Sequence, residues 1–182
     1  MRVAVTGTPG TGKTTATDRL AGDHDPLDEA DGSLDIVHLN EVIREEGLST
    51  GTDAERGSLV ADLDAADAWL DERTTNAGVT LVESHLAHRL NADRVVVLRC
   101  HPAELEDRLA ARDEPDATVR ENAESEALDV ILGEAVERHG RGAVYEIDAT
   151  DRAPETVAGE IAAVVTGERE PGAGTVSFVE YL

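Results

Sequence analysis

The feature that most restricts the fold of this chain is a glycine-rich loop near its amino terminus. The pattern G-x-x-x-x-G-K-[ST] is matched at every fixed position by Gly7-Thr8-Pro9-Gly10-Thr11-Gly12-Lys13-Thr14. Its glycines let the backbone turn so that successive N–H groups face an anion. A β-branched and apolar run over 3–6 predicts a strand before the loop, and 13–21 predicts a helix after it. A strand, loop and helix in this order are typical of phosphate binding, because the helix start adds free N–H donors.

The charge of the chain restricts its partners. The 182 residues carry 39 acidic and 16 basic side chains, which gives a net charge of −23. We expect such a charge to repel nucleic-acid phosphates, so that broad binding to DNA or RNA is excluded. Lys13 is the only lysine, and it stands where a phosphate loop requires one. An acidic surface almost without lysine predicts a halophilic host, since salt screens its self-repulsion. The alternative is an acidic protein of an ordinary cytoplasm.

Predicted strands alternate with predicted helices along the chain, and the strands are near-continuous apolar runs. This pattern predicts an α/β fold with a parallel sheet covered by helices on both faces. Strands are predicted at 3–6, 36–39, 79–82, 95–98 and 143–147, and helices at 13–21, 41–46, 59–73, 102–112, 119–138 and 154–165. Asn40 is a candidate cap for the second helix, and Gly47 is its candidate end. The segment 49–57 is predicted to be a polar loop. We expect one domain over 1–166, followed by a linker and a carboxyl-terminal tail over 167–182.

Other simple features indicate a cytoplasmic protein. No apolar run reaches the roughly 18 residues that a membrane span needs, so we expect no membrane association. The first residues enter a predicted strand directly, so we expect no signal peptide. Cys100 is the single cysteine, so no disulfide can form within the chain. We expect Cys100 to be a small core residue and Trp69 to be a packing residue of a helix.

Chemically active side chains follow the third predicted strand as Glu83-Ser84-His85. The carboxyl ends of strands are where open α/β sheets bind ligands. Glu83 can hold Mg²⁺ through water or orient an attacking water, and His85 can position a nucleophile or carry a proton. His85 can also be an ordinary hydrogen-bonded histidine at a strand end. His85 and His88 are spaced like a metal pair, but no third ligand in the sequence supports zinc.

Several segments together resemble the adenylate kinase isoenzyme 6 family of archaea and eukaryotes, which is linked to maturation of the small ribosomal subunit. The resemblance extends over 2–165 and is carried by Gly7–Thr15, Arg44-Glu45-Glu46-Gly47-Leu48, Glu83-Ser84-His85, Arg112 and the segment Val119–Ile131. It implies a P-loop fold of the nucleoside monophosphate kinase type, with a five-stranded parallel sheet. It also implies a monophosphate-binding segment at about 36–58 and a short lid at about 111–121.

The resemblance also implies roles for single residues. The ATP phosphates would be bound by Gly10, Gly12, Lys13, Thr14 and Thr15, and Arg112 would contact ATP from the lid. The Thr14 hydroxyl is placed to ligate Mg²⁺. Arg44 would neutralise charge on the monophosphate when the segments close. The sequence departs from the related kinases at two places. The family more often has aspartate at the position that Glu83 occupies here. The Gly-Phe-Pro-Arg stretch that holds AMP in conventional adenylate kinases is absent.

The expected activity is phosphoryl transfer from ATP to AMP or another nucleoside monophosphate, with Mg²⁺, accompanied by ATP hydrolysis. The alternative is an ATP-switched assembly factor whose main chemistry is ATP hydrolysis. The resemblance implies that such a factor would bind a small-subunit platform ribosomal protein during 16S rRNA maturation. A kinase for another small acceptor, such as shikimate or gluconate, fits the loop but not the segment 120–131. A regulatory GTPase is excluded, because its Asn-Lys-x-Asp motif needs a second lysine.

Overall fold

The computed structural model describes residues 1–21, 33–53, 58–73 and 78–182. The strands are β1 (Arg2–Thr6), β2 (Ser33–His38), β3 (Ser49–Thr52), β4 (Leu59–Ala61), β5 (Gly78–Glu83), β6 (Arg94–Arg99) and β7 (Val144–Asp148). The helices are α1 (Lys13–Leu20), α2 (Leu39–Glu45), α3 (Leu63–Arg73), α4 (Pro102–Ala110), α5 (Asp116–Ala127), α6 (Val130–His139) and α7 (Pro154–Thr166). Short 3₁₀ turns lie at Ala87–Arg89, Arg141–Ala143 and Val179–Tyr181.

The main sheet has five parallel strands in the order β2-β5-β1-β6-β7, which confirms the predicted fold class. Strand β1 lies in the centre, and its pairing aligns Val5 with Glu83 on β5. Strand β2 pairs on the other side of β5, with His38 aligned with Glu83. The last residues of β2 and β5 therefore lie beside the loop that follows β1. This edge of the sheet is the one at which parallel α/β folds bind ligands.

Helices cover both faces of the sheet, because side chains alternate in direction along each strand. On one face, Val3 and Val5 pack with α1 and α7 through Leu20, Ile161 and Val164. On the other face, a cluster around Ala4 and Val97 packs with α6. A third cluster joins the ends of β2 and β5 to α2 and α3. The core is aliphatic, as the composition predicts.

The predicted helix at 59–73 is wrong over its first residues. Leu59–Ala61 forms strand β4, which pairs antiparallel with β3. The helix begins at Leu63, after Asp62, whose Oδ1 accepts a hydrogen bond from the Ala65 N–H at 3.0 Å. That acceptor satisfies one of the free donors of the first turn and fixes the helix start. The predicted polar loop at 49–57 is a strand at 49–52, and its residues 54–57 lie outside the described residues.

The predicted long helix at 119–138 is two helices, because the chain bends between α5 and α6. Asp129 adopts a left-handed conformation with φ of 55°, and its carboxylate accepts a hydrogen bond from the Arg99 guanidinium. The cap expected at Asn40 is also wrong, since His38 precedes the first turn of α2 without a side-chain cap. Gly47 does end that helix, with φ of 68° and a Leu48 N–H bond to the Ile43 carbonyl.

The carboxyl-terminal tail packs along the edge strand β7. Gly172 pairs with Tyr145, through a 2.8 Å bond from the Glu146 N–H to the Gly172 carbonyl and a 2.9 Å bond from the Gly172 N–H to the Val144 carbonyl. Phe178 is buried, with its ring 5.4 Å from that of His101. The tail therefore covers backbone groups that an edge strand would otherwise expose.

Two smaller expectations about side-chain packing have clear outcomes. Cys100 is fully buried, and burial raises the pKa of its thiol to about 12, so it behaves as a core residue. Trp69 packs within the cluster of α2 and α3, and the Arg73 guanidinium lies 3.7 Å from its ring centre. Among the described residues, no helix has the length and apolar character to cross a membrane.

Candidate functional site

The glycine-rich loop connects the central strand β1 to α1. Gly7 has a φ of 144°, and a Cβ there would lie 2.4 Å from the Leu98 carbonyl oxygen, so only glycine fits. Gly12 has a φ of 88° and immediately precedes the first turn of α1. Within the loop, the Thr11 N–H and hydroxyl both donate to the Thr8 carbonyl, at 3.2 and 3.0 Å. The loop is thus held in a fixed turn at the start of an eight-residue helix, a geometry suited to an anion.

Lys13 lies inside this turn. Its Nζ donates to the Gly7 carbonyl at 2.9 Å and to the Thr8 carbonyl at 3.1 Å, and the residue is 7% exposed. Burial is the main cause that lowers the pKa of this ammonium to about 8. Glu83 and Glu126 oppose that shift, and the charge of Arg112 contributes to it. A cation that burial destabilises gains most from an anionic ligand. The environment of Lys13 therefore fits a polyphosphate.

A hydroxyl and a carboxylate face each other beside Lys13. The Thr14 hydroxyl donates to Glu83 Oε2 at 3.2 Å. The same carboxylate oxygen lies 3.1 Å from His38 Nδ1, and His38 Nε2 lies 3.3 Å from Asp18 Oδ1. The histidine therefore fixes the direction of the Glu83 carboxylate. Oxygen atoms of this kind are the protein ligands that Mg²⁺ prefers, so Thr14 and Glu83 fit that ion.

His85 lines the same pocket, which has a volume of about 180 Å³ and also includes Asn40 and Arg112. Burial, together with smaller effects of the charges of Lys13, His88 and Arg89, lowers the pKa of the imidazole to about 4. His85 is therefore neutral at pH 7 and can both donate and accept hydrogen bonds. Asn40 is held toward this pocket by the Ser84 hydroxyl, which donates to Asn40 Oδ1 at 3.0 Å.

A second pocket, of about 140 Å³, lies on the other side of the loop. Its cationic lining is formed by Arg108, Arg112 and Arg152, and its apolar lining includes Ala149, Pro154 and Val157. Arg108 Nη1 donates to the Gly10 carbonyl at 3.1 Å, and its other nitrogen pairs with Glu104. Thr15 and Gly12 also line this pocket. Three guanidinium groups beside an apolar surface suit a ligand with both phosphates and a flat ring.

A third and larger cleft, of about 720 Å³, begins at His85 and extends between the turn after β5 and helix α5. Its lining includes Pro9, Leu86 and Asn122, together with Ser58, which directly precedes β4. His88 is buried at its base, with Nδ1 3.0 Å from the Thr6 hydroxyl and Nε2 2.9 Å from Glu134. These partners give His88 a structural role. Among the described residues, no group of three or more His, Cys, Asp or Glu side chains is arranged to hold a metal ion.

The structure gathers most of the predicted site residues around one loop. Those that line its two pockets are Gly10, Gly12, Lys13, Thr14, Thr15, Glu83, His85 and Arg112. Arg44 is different, because it is exposed on α2, lines neither pocket, and donates from Nε to the Asn40 carbonyl at 2.9 Å. Sequence reasoning missed His38, Arg108 and Arg152. Arg108 stands one helical turn before Arg112, and that spacing is the one signal that could have indicated it.

Comparison with known proteins finds a matching family model and full-length relatives. A family model described as an AAA domain matches residues 3–129. A protein of Natronomonas pharaonis named "Putative adenylate kinase" is 58% identical over 182 residues, which is the whole of both chains. A protein of the same name from Halobacterium salinarum is 54% identical, again over the whole of both chains. Another from Methanothermobacter thermautotrophicus is 40% identical over 99% of this chain and 98% of the relative.

Solved structures of low sequence identity share the fold. Shikimate kinase from Acinetobacter baumannii, in complex with shikimate, aligns with a TM-score of 0.59 and 16% identity. The alignment covers 92% of this chain and 94% of that one. Shikimate kinase from Bacteroides thetaiotaomicron aligns with a TM-score of 0.55 and 17% identity, over 92% and 98% of the two chains. With a P-loop kinase fold and full-length relatives at this identity, the chain belongs to the AAA-domain family of the archaeal proteins named putative adenylate kinases.

Proposed function

We propose that this protein is a nucleoside monophosphate kinase that transfers the terminal phosphoryl group of ATP to AMP. The single observation that carries the proposal is the buried Lys13 ammonium inside the glycine loop, next to Thr14 and Glu83. That arrangement supports binding of a polyphosphate with its metal. The names of the full-length relatives support a nucleotide as the substrate.

The pocket lined by three arginines is the proposed site of the ATP base and ribose. Arg108 is anchored on the loop by the Gly10 carbonyl, while Arg112 is exposed and lines both small pockets. Arg112 lies in the turn between α4 and α5, within the proposed lid at 111–121. Closure of such a segment would bring its guanidinium onto the transferred group and exclude water.

The proposed roles at the reacting group follow from charge and position. Lys13 and the loop N–H groups would bind the terminal phosphates, and Thr14 and Glu83 would hold Mg²⁺. When bound, Mg²⁺ supplies neutralisation of the charge shared by the transferred group. His38 fixes the orientation of the Glu83 carboxylate, and the neutral His85 imidazole is available to position an acceptor oxygen. Where no acceptor is bound, the same geometry would position water, so ATP hydrolysis is the proposed side activity.

The large cleft beside His85 is the proposed acceptor site. Its volume of about 720 Å³ is within the range of 300–1,000 Å³ that is usual for small-molecule pockets. The proposed monophosphate-binding segment at 36–58 contributes Ser58 to this cleft and carries Arg44 on α2. Arg44 would need a side-chain movement to meet a phosphate, because its Nε is bonded to the Asn40 carbonyl. We propose a kinase domain over 1–166, with 167–182 as linker and tail.

A halophilic cytoplasm is the proposed setting. The net charge of −23 and the single lysine support it, and the relatives from Natronomonas pharaonis and Halobacterium salinarum come from halophilic sources. At molar salt the Debye length is about 3 Å, so the surface carboxylates repel one another weakly.

The acidic surface favours a second candidate function. A protein with a charge of −23 is suited to bind a basic partner, and ribosomal proteins are basic. On this proposal the chain is an ATP-switched factor for the small ribosomal subunit, which binds a platform ribosomal protein and acts in 16S rRNA maturation. Recovery of that protein at high salt only with ATP present would support the switch. Recovery that does not depend on nucleotide would remove it.

One assay separates the two candidates. Purified protein is incubated with Mg-ATP in molar KCl, with and without AMP, and ADP and inorganic phosphate are measured separately. A kinase forms ADP only when AMP is present, and it releases no inorganic phosphate. A protein whose main chemistry is hydrolysis releases phosphate whether or not AMP is present. The Lys13→Ala variant is the control, and it should be inactive in both measurements because it lacks the charge inside the loop.

A further inference from the structure

We infer that Glu126 is a positioning residue of the phosphate loop: its buried carboxylate holds the loop through the Thr8 hydroxyl, and Arg99 holds the carboxylate. The inference rests on the proposed nucleotide-binding function, which it deepens. Glu126 lies on α5, 118 residues from the threonine that it binds, and it is 3% exposed. Buried carboxylates are rare in proteins and require specific partners.

The two oxygens of Glu126 are used by different elements. Oε2 accepts a hydrogen bond from the Thr8 hydroxyl. Oε1 accepts from Arg99 Nε at 2.7 Å and from the Cys100 N–H at 3.1 Å. The carboxylate is thereby tied to the end of β6, which is the strand beside β1 in the sheet. The Thr8 hydroxyl is the contact that extends this arrangement to the loop.

Arg99 is itself fixed from several directions. It is 1% exposed, and its Nη1 donates to Glu146 Oε1 on β7 at 2.7 Å. Its Nη2 donates to the Glu126 carbonyl at 3.1 Å and to the Asp129 carboxylate. Glu146 is held in turn by the tail, since its Oε2 accepts from the Thr175 N–H at 2.7 Å and hydroxyl at 2.8 Å. With its partners fixed, the Glu126 carboxylate cannot follow a displaced loop.

Thr8 is the loop residue at which such a contact matters for the phosphate site. Its carbonyl accepts from Lys13 Nζ at 3.1 Å and from the Thr11 N–H. A displacement of Thr8 therefore moves an acceptor of the Lys13 ammonium. Helix α5, which carries Glu126, begins at Asp116, just after the turn that carries Arg112. The Thr8–Glu126 contact thus links the loop to the helix that leaves the proposed lid.

Two substitutions at Thr8 test the inference without removing a charge. Thr8→Val has the same shape but no hydroxyl, and Thr8→Ser keeps the hydroxyl. The measurements are the calorimetric Kd for ATP, KM and kcat for ATP, and the melting temperature, all in molar KCl. We expect Thr8→Val to weaken ATP binding about tenfold and to raise KM more than it lowers kcat, because one buried hydrogen bond to a charged group is lost. We expect Thr8→Ser to restore binding to within about twofold.

A matched control and a second variant complete the test. Thr166→Val removes a hydroxyl from the exposed end of α7, where it donates to the Ala162 carbonyl, and should leave ATP binding unchanged. Glu126→Gln keeps the shape of the side chain and should also weaken ATP binding. Equal ATP affinity for Thr8→Val and the unaltered protein would overturn the inference and leave the proposed function standing. Equal losses in Thr8→Val and Thr8→Ser would also overturn it. Absence of ATP binding by the unaltered protein would overturn the proposed function, and the inference with it.

Discussion

ATP binding should be accompanied by proton uptake at Lys13 at pH values near and above the pKa of its ammonium. Burial lowers that pKa from 10.5 to about 8, so at pH 8.5 only about one quarter of the unliganded molecules carry the charge. Phosphate oxygens close to Nζ favour the charged form and return the pKa toward its ordinary value. Binding should then take up about 0.7 proton per ATP at pH 8.5 and about 0.2 proton at pH 7.5.

The proton number is measurable by titration calorimetry in buffers with different enthalpies of ionisation. At each pH, the slope of the observed binding enthalpy against the buffer enthalpy gives the protons taken up. The matched control is Lys13→Arg, because a guanidinium stays charged throughout this range and should give an uptake near zero. An uptake near zero for the unaltered protein at pH 8.5, or an equal uptake in Lys13→Arg, would refute the assignment of Lys13 to the phosphates.

Three further predictions concern stability. Gly7→Ala should destabilise the protein by about 3 kcal/mol in chemical denaturation, because the new Cβ would lie 2.4 Å from a backbone oxygen and the residue has a φ of 144°. The control Gly159→Ala lies on α7, where no atom is within 4 Å of the new Cβ, and it should stabilise the protein by roughly 0.5–1 kcal/mol. Similar losses of stability in both variants would contradict the argument. His85 has a folded pKa of about 4 against 6.5 when unfolded, so stability should fall as the pH drops from 6.5 to 4, by up to about 3 kcal/mol. His85→Gln should flatten that dependence, and an unchanged acid profile would count against it. The free energy of unfolding should rise between about 0.1 and 2 M KCl, because salt screens a charge of −23; full stability in dilute buffer would contradict a halophilic design.

The sheet and the phosphate loop were predictable because their signals are local. Val3 to Thr6 and Gly7 to Thr14 are adjacent in sequence and specify a strand and a turn without help from distant residues. The antiparallel pairing of β3 with β4 was not predictable from a local signal. Leu59-Val60-Ala61 is an apolar run that continues directly into helical spacing, and only its pairing with Ser49–Thr52 makes it a strand.

The supporting residues of the site could not be predicted, because their contacts depend on tertiary structure. His38 reaches Glu83 only because β2 and β5 pair in a register that aligns the two residues. Arg99 and Glu126 are 27 residues apart, and in a chain with 39 acidic side chains one more glutamate gives no signal. The bend at Asp129 has the same origin, since its left-handed backbone accompanies a contact with Arg99.

The decisive measurement is the fate of the terminal phosphoryl group of ATP, followed with label at that position in the presence of AMP, Mg²⁺ and molar KCl. If the proposed function is right, the label appears in newly formed ADP with the unaltered protein and in no product with Lys13→Ala. Label that appears solely as inorganic phosphate, or transfer that persists in Lys13→Ala, would contradict a kinase built on the loop from Gly7 to Thr14.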